Sequence, residues 1–253
     1  MLTNASKSEN ETIRAKDIVT PLLIVLAKAE QLNLGPLTSR QLEKAIQPIM
    51  TLSKEDMNRT PDRVSHFSRV VRNTVSSHKT LENQGMVRSF YFEGDPQVYV
   101  QITAKGRKEL ALIMLESMQY LPSIPELKKF SSASEVPINE NAPRLSRIQL
   151  AEFSLLCLAL LEKDVDGPVP INLLRRAVNA LPGVQVRPED ARGLTRGYEV
   201  LLEYNMARRT SEGLKINARG VYYLLNNLLL NQLPEPPIPD AKPVFVKKKG
   251  FTP

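Results

Sequence analysis

The sequence carries an internal repeat, and that repeat limits what the chain can become more than any other feature. Pro21-Leu22-Leu23-Ile24-Val25-Leu26-Ala27-Lys28, Gly35-Pro36-Leu37-Thr38 and Leu42-Glu43-Lys44-Ala45-Ile46 return in the same order further on. Their counterparts are Ser154-Leu155-Leu156-Cys157-Leu158-Ala159-Leu160, Gly167-Pro168-Val169-Pro170 and Leu174-Arg175-Arg176-Ala177-Val178. Gly35 to Ile46 spans as many positions as Gly167 to Val178. The likeness resumes where Leu81-Glu82-Asn83-Gln84-Gly85-Met86-Val87-Arg88 lies over Leu201-Leu202-Glu203-Tyr204-Asn205-Met206-Ala207-Arg208. It ends with Ile102-Thr103-Ala104-Lys105-Gly106 over Ile216-Asn217-Ala218-Arg219-Gly220. Asn205 replaces Gly85 where a left-handed helix cap is expected, the exchange such a site tolerates best. Two similar modules, each with its own small core, are therefore expected in these 253 residues.

Each copy reads as the same run of elements. In the first, Thr20 caps and Pro21 opens an apolar helix to about Leu32. Thr38 and Gln41 have capping-box spacing and start a second helix to about Ile49. A third runs from about Pro61 to Asn83, with Val64, Phe67, Val71, Val75, His78 and Leu81 along one face. Val87 to Phe92 and Gln97 to Ile102 read as strands joined by the turn Glu93-Gly94-Asp95-Pro96. Thr103 caps a last helix to about Tyr120. The second copy places helices at about 147–163, 170–180 and 188–204, with Ser146 and Gln149 as a capping box. A hairpin, Ala207–Ile216, turns at Ser211-Glu212-Gly213, and a helix follows from Ala218 to about Leu233. Met86 to Ile102 is 16 steps and Met206 to Ile216 is 10, so the second hairpin is the shorter.

The fold class expected is mainly α with small β-hairpin wings, as two tandem winged helix-turn-helix domains at 15–120 and 146–233. Outside them lie a polar, disordered arm at 1–14, a Pro- and Ser-containing linker at 121–145, and a Pro-rich tail at 234–253 with Lys247-Lys248-Lys249. Hydrophobic content of 42% and charged content of 24% belong to a globular chain. No apolar run reaches the roughly 18–20 residues of a membrane span, and the first ten residues lack the apolar stretch expected of a signal peptide. A cytoplasmic protein without membrane contact is expected, nucleoid-associated if bacterial.

The first copy also resembles a known family. The Pro-Leu-Leu helix, Leu-Glu-Asn-Gln-Gly-Met-Val (81–87) and Ile-Thr-Ala-Lys-Gly-Arg-Lys-Glu-Leu (102–110) are similar to the N-terminal winged-helix domain of Mrr-type restriction proteins, over about residues 17–118. The resemblance implies a DNA-binding module. Mrr proteins carry a nuclease domain behind it, whereas here a second winged helix follows, so cleavage does not carry over. The tandem architecture is similar to that of plasmid replication initiators.

In a winged helix the third helix enters the major groove while the hairpin and helix ends grip phosphates. The exposed side of the first module's third helix carries Arg63, His66, Arg69, Arg72, Asn73, Ser76 and Lys79. Arg pairs bidentately with guanine and Asn with adenine, while Ser reaches phosphate or base. Arg88 at the hairpin and Lys105 and Arg107 on the last helix are candidate phosphate contacts. Their second-module counterparts are Arg192, Thr195, Arg196, Arg208 and Arg209, with Glu189, Asp190 and Glu199 on the same helix weakening the grip. A net charge of +7 favours a polyanionic partner. An Arg- and Ser-rich helix face is often plain solvated surface, and the winged-helix layout tips the reading toward double-stranded DNA. His78 falls on the apolar stripe and reads as a core or boundary residue.

No catalytic chemistry is expected. There is no glycine-rich phosphate loop or histidine–carboxylate cluster, and Cys157 sits in an apolar run with no nearby base. Glu126-Leu127-Lys128 and Asp240-Ala241-Lys242 have nuclease-like spacing without strand context. Neither a cofactor nor a metal is expected. His66 and His78, twelve residues apart on one helix, point in different directions. The leading expectation is a transcription regulator, with a protein-interaction scaffold or a plasmid or phage replication initiator as alternatives. The last helix is apolar on more than one face, and Tyr222, Leu225 and Leu229 offer either an internal packing surface or a seam for a homodimer or protein partner.

Overall fold

The computed structural model describes residues 12–58, 64–76, 81–116, 146–179, 191–235 and 238, with side chains described at all of these except 76, 179 and 191–196. Among the described residues the chain is mainly helical with two small antiparallel sheets. It divides into two compact units, Met1–Leu110 with Leu233–Pro253, and Ala111–Gln232. The linker expected at 121–145 lies outside the described residues.

In the first unit the order is α1 (Ala15–Gln31), β1 (Leu37–Thr38), α2 (Ser39–Ile46), α3 (Lys54–Met57), α4 (His66–Ser76), β2 (Val87–Tyr91) and β3 (Val98–Ile102). Helix α5 (Ala104–Glu116) starts here. The α1 start differs from the expected Thr20–Pro21 cap. The helix begins six residues earlier because Asp17 accepts the Arg14 backbone N–H at 2.9 Å and caps it there, while Ile13 and Ile18 bury upstream apolar surface. Pro21 consequently lies inside the helix, where its missing N–H forfeits one backbone bond. Thr38 caps α2 reciprocally with Gln41, as the spacing requires.

The third helix starts later than its periodicity suggests. Ser65, whose Oγ accepts the Ser68 N–H at 3.1 Å, caps it so that it starts at His66 instead of Pro61. Leu81–Gly85 forms a turn instead of a helical end, closed by Gly85 N–H to Glu82 and Met86 N–H to Leu81 at 2.7 Å. Phe67, Val71, Val75 and Leu81 are nevertheless buried as the pattern predicts, while His78 lies outside the described residues. The hairpin pairs Val87 with Ile102 through Tyr91 with Val98, and β1 joins its far side through Leu37 and Val100.

The second unit holds α6 (Arg147–Val165), α7 (Ile171–Asn179), α8 (Ala191–Glu203), β4 (Ala207–Arg209), β5 (Leu214–Ile216) and α9 (Ala218–Tyr223). The duplication holds at the level of single bonds. Val169, the match of Leu37, bridges to Leu214, the match of Val100. Gly85 has φ +69° and Asn205 φ +54°, the left-handed cap expected from their exchange. The last helix departs from its counterpart. After Tyr223 it widens into a π-helical stretch, Leu224–Leu229, and closes with a 3-10 turn, Leu230–Gln232, whereas α5 is α-helical over Ala104–Glu116.

Candidate nucleic-acid interface

Helix α4 has two chemically opposed sides. At 100° per residue Phe67, Val71 and Val75 cluster on one side and are buried, each at most 2% exposed. Arg69, Arg72 and Asn73 fall together on the opposite side and are exposed. The helix is fixed from below by Ser68, a buried residue whose hydroxyl donates to Glu43 of α2 and meets Ser65 Oγ at 2.8 Å. That pairing of α2 with α4 holds the exposed Arg–Arg–Asn face in one orientation.

His66 has another engagement. Its Nε2 lies 3.2 Å from the backbone oxygen of Ile13, and Asp56 Oδ1 accepts the Ile13 N–H at 2.9 Å. Both polar groups of one backbone residue are thus held by side chains from α3 and α4. Burial pushes the Asp56 carboxyl upward, but bonds from the Ile13 and Ser53 N–H groups and the Ser53 hydroxyl, with His66 close by, outweigh it and leave it below its ordinary value. The sequence reading did not find this clasp. Its signal was Ser53-x-x-Asp56, a capping-box spacing that builds the short α3.

On the hairpin, Arg88 is exposed and donates to Gln101 Oε1 from Nη2 at 2.7 Å, directly across the strands, with its guanidinium 5.9 Å from the Phe90 ring. Phe90, Phe92 and Tyr99 cluster on this outward side, with the edge-on Phe92–Tyr99 pair 4.7 Å apart. The hairpin tip is acidic: Glu93 is exposed, and Asp95 accepts the Tyr99 hydroxyl at 2.7 Å. Lys105 is exposed over the Gly85 turn. Arg107, by contrast, is spent inside the unit, with Nη1 bonding both Glu30 oxygens at 2.9 and 3.0 Å.

In the second unit Arg208 and Arg209 are exposed on β4. Arg208 stands directly opposite Lys215 of β5, and none of the three side chains makes a hydrogen bond or ion pair among the described residues. Like charges facing across a strand pair repel unless an anion lies over them. Lys215 belongs with the candidates, and the repeat would have found it as the partner of Gln101. Arg63 and Lys79 lie outside the described residues. So do the side chains of Ser76, Arg192, Thr195 and Arg196, although the last three residues fall on α8.

Of the last-helix residues, Leu225 and Leu229 are buried and Tyr222 is 47% exposed. Burial drives the Cys157 thiol far above its ordinary value. Among the described residues no helix is long and apolar enough to cross a membrane. Comparison with family models, curated proteins and solved structures finds no match.

Proposed function

We propose that the chain is a double-stranded DNA-binding protein of two tandem winged-helix modules, acting as a transcription regulator. The order of helices and hairpin in each unit supports the winged-helix reading. The observation that carries the DNA reading is where the cations stand. Arg69 and Arg72 occupy the side of α4 turned from the core, Arg88 the outward side of β2, and Arg208 and Lys215 an unneutralised pair on one face of the second hairpin, with Arg209 exposed next in the strand. Arg69, Arg72 and Asn73 read base edges, while the hairpin cations and Lys105 hold phosphates.

The acidic tip of the first hairpin changes the division of labour. Glu93 and Asp95 repel phosphate, so the first module binds through α4 and the base of its hairpin. The second module's shorter hairpin is the better phosphate clamp. Fluorescence anisotropy on duplex DNA at graded salt tests the reading. If six to eight phosphates are neutralised, log affinity falls against log salt with a slope of about −5 to −7. A slope near zero, or unchanged affinity after Arg69 and Arg72 are both made Ala, refutes it.

A further inference from the structure

In the second unit a surface groove of about 380 Å³ is lined by Ile148, Glu152, Tyr204, Arg219 and Tyr222, among others. Three of the four most exposed large apolar side chains among the described residues lie in it: Ile148 at 65%, Tyr204 at 52% and Tyr222 at 47%. The repeat supplies an internal control. The matching positions in the first unit hold Ala15, Gln84 and Lys108, so the fold itself does not ask for apolar residues there. Glu152 likewise stands where the first unit has Val19, while Arg219 keeps the basic character of Lys105. The second unit thus carries an apolar surface and an acid that the shared fold does not require, beside a base that both units have.

The charges indicate what covers this face. Glu152 accepts the neutral Tyr223 hydroxyl at 3.0 Å, and neither Glu152 nor Arg219 makes an ion pair among the described residues. Next in sequence to Ile148 and Tyr204, Arg147 and Glu203 pair at 2.6 Å. Two acids and two bases leave the patch without net charge, on a chain whose net +7 otherwise repels a second copy of itself. An acid and a base left without a countercharge in one groove suit a two-fold interface, in which residue i of one copy meets j of the other and j meets i. A partner of uniform charge would set one of the two against its like. We infer that this face joins two copies of the chain. Ile148, Tyr204 and Tyr222 pack across the two-fold axis, and Glu152 of each copy meets Arg219 of the other. Leu225 and Leu229 are buried, so Tyr222 alone of the three expected seam residues takes part. The inference does not rest on DNA binding.

Sedimentation equilibrium on the full chain without DNA tests it, at up to about 100 μM because interfaces of standard size span μM to pM. The parent chain is expected to reach twice its monomer mass. Ile148→Ala with Tyr222→Lys, which install the first unit's residues, should leave a monomer that is folded by circular dichroism. Glu152→Arg alone and Arg219→Glu alone should each weaken self-association by about tenfold or more, because each sets like charges face to face. Mixed in equal amounts, these two folded variants should dimerise again, since each supplies the charge that the other has lost. The inference is overturned if the parent chain stays monomeric, which is also the result expected if a different protein or a small molecule fills the groove. It falls equally if the apolar double variant, still folded, dimerises as before, or if mixing the two charge reversals restores nothing.

Discussion

The backbone oxygen of Met86 occupies the place where a side chain on Gly106 would begin: an added Cβ would lie 2.0 Å from it and 2.9 Å from Ile102 Cγ1. In the second unit a Cβ on Gly220 would meet the Met206 oxygen at the same 2.0 Å and Ile216 Cγ1 at the same 2.9 Å. The cause is a shared junction. The Thr103 N–H reaches the Met86 oxygen at 2.9 Å while its hydroxyl caps the Gly106 N–H, and Asn217 does the same for Met206 and Gly220. Helix and hairpin are thus welded at one carbonyl, which only a residue without a Cβ can approach.

Gly106→Ala and Gly220→Ala should therefore each destabilise by about 2–3 kcal/mol, as forced overpacking against backbone does. Gly85 is the control. An added Cβ there meets Lys105 Cδ at an unstrained 3.8 Å, so only its positive φ resists substitution. Gly85→Asn, which copies Asn205, should cost less than 1 kcal/mol, on the order expected for Asn at a left-handed cap. Urea unfolding of the three variants checks the ranking. Equal losses at Gly85 and Gly106 would remove the steric account.

Asp56 should make stability depend on acid. Burial acts to raise its pKa, yet the bonds from Ile13 and Ser53 prevail and hold it below the unfolded value of 3.8. A carboxyl lowered on folding binds its proton more readily in the unfolded chain, so its contribution is complete above that value and fades as pH falls through the folded one. Asp56→Asn should flatten the stability profile below about pH 4, and Asp56→Ala should cost about 1–3 kcal/mol at neutral pH by leaving the buried Ile13 N–H unpaired. Denaturation midpoints from pH 3 to 7 give the comparison, and parallel profiles for the parent and Asp56→Asn would count against the clasp.

How far the sequence reveals this molecule depends on whether the signal is local. The hairpins, the Thr38 and Ser146 capping boxes and the Gly85–Asn205 cap were all legible because each is set by residues within a turn of one another. Pro21 misled because proline is commoner at a helix start than inside one. Here the upstream Arg14–Asp17 cap and the burial of Ile18 overrode that preference. The spacing places the helix start too early and its end too late, because Ser65 caps α4 at His66 and Leu81, which keeps the apolar spacing and is buried, lies in the Leu81–Gly85 turn. At the candidate interface the exposed side of α4 could be read from its spacing. The Arg107–Glu30 pair could not, because its partners lie 77 residues apart.

Cys157 should be inert in the folded chain. It is fully buried and its thiol is driven upward by that burial, so almost no thiolate forms near neutral pH. Labelling with a chromogenic disulfide reagent should proceed only as fast as the second unit opens, and completely in denaturant. Stoichiometric labelling within seconds in native buffer would contradict the packing around α6.

The cations of the two hairpin regions should separate by what they do to stability and to DNA. Arg107 is consumed by Glu30, so Arg107→Ala should lower stability by about 1 kcal/mol, in line with a partly buried ion pair, and leave the salt slope unchanged. Arg208 faces Lys215 without a counter-charge, so Arg208→Ala relieves a repulsion. It should leave stability unchanged or raise it by a few tenths of a kcal/mol, as for like charges across a strand pair. Its cost should fall on DNA instead, reducing the salt slope by about 1 for the lost phosphate contact. Lys105→Ala should behave like Arg208→Ala, since Lys105 is exposed and makes no ion pair among the described residues. Thermal melts and salt titrations on the same four proteins decide the matter. If Arg107→Ala weakens DNA binding while Arg208→Ala does not, the phosphate-gripping surface lies elsewhere than on the second hairpin.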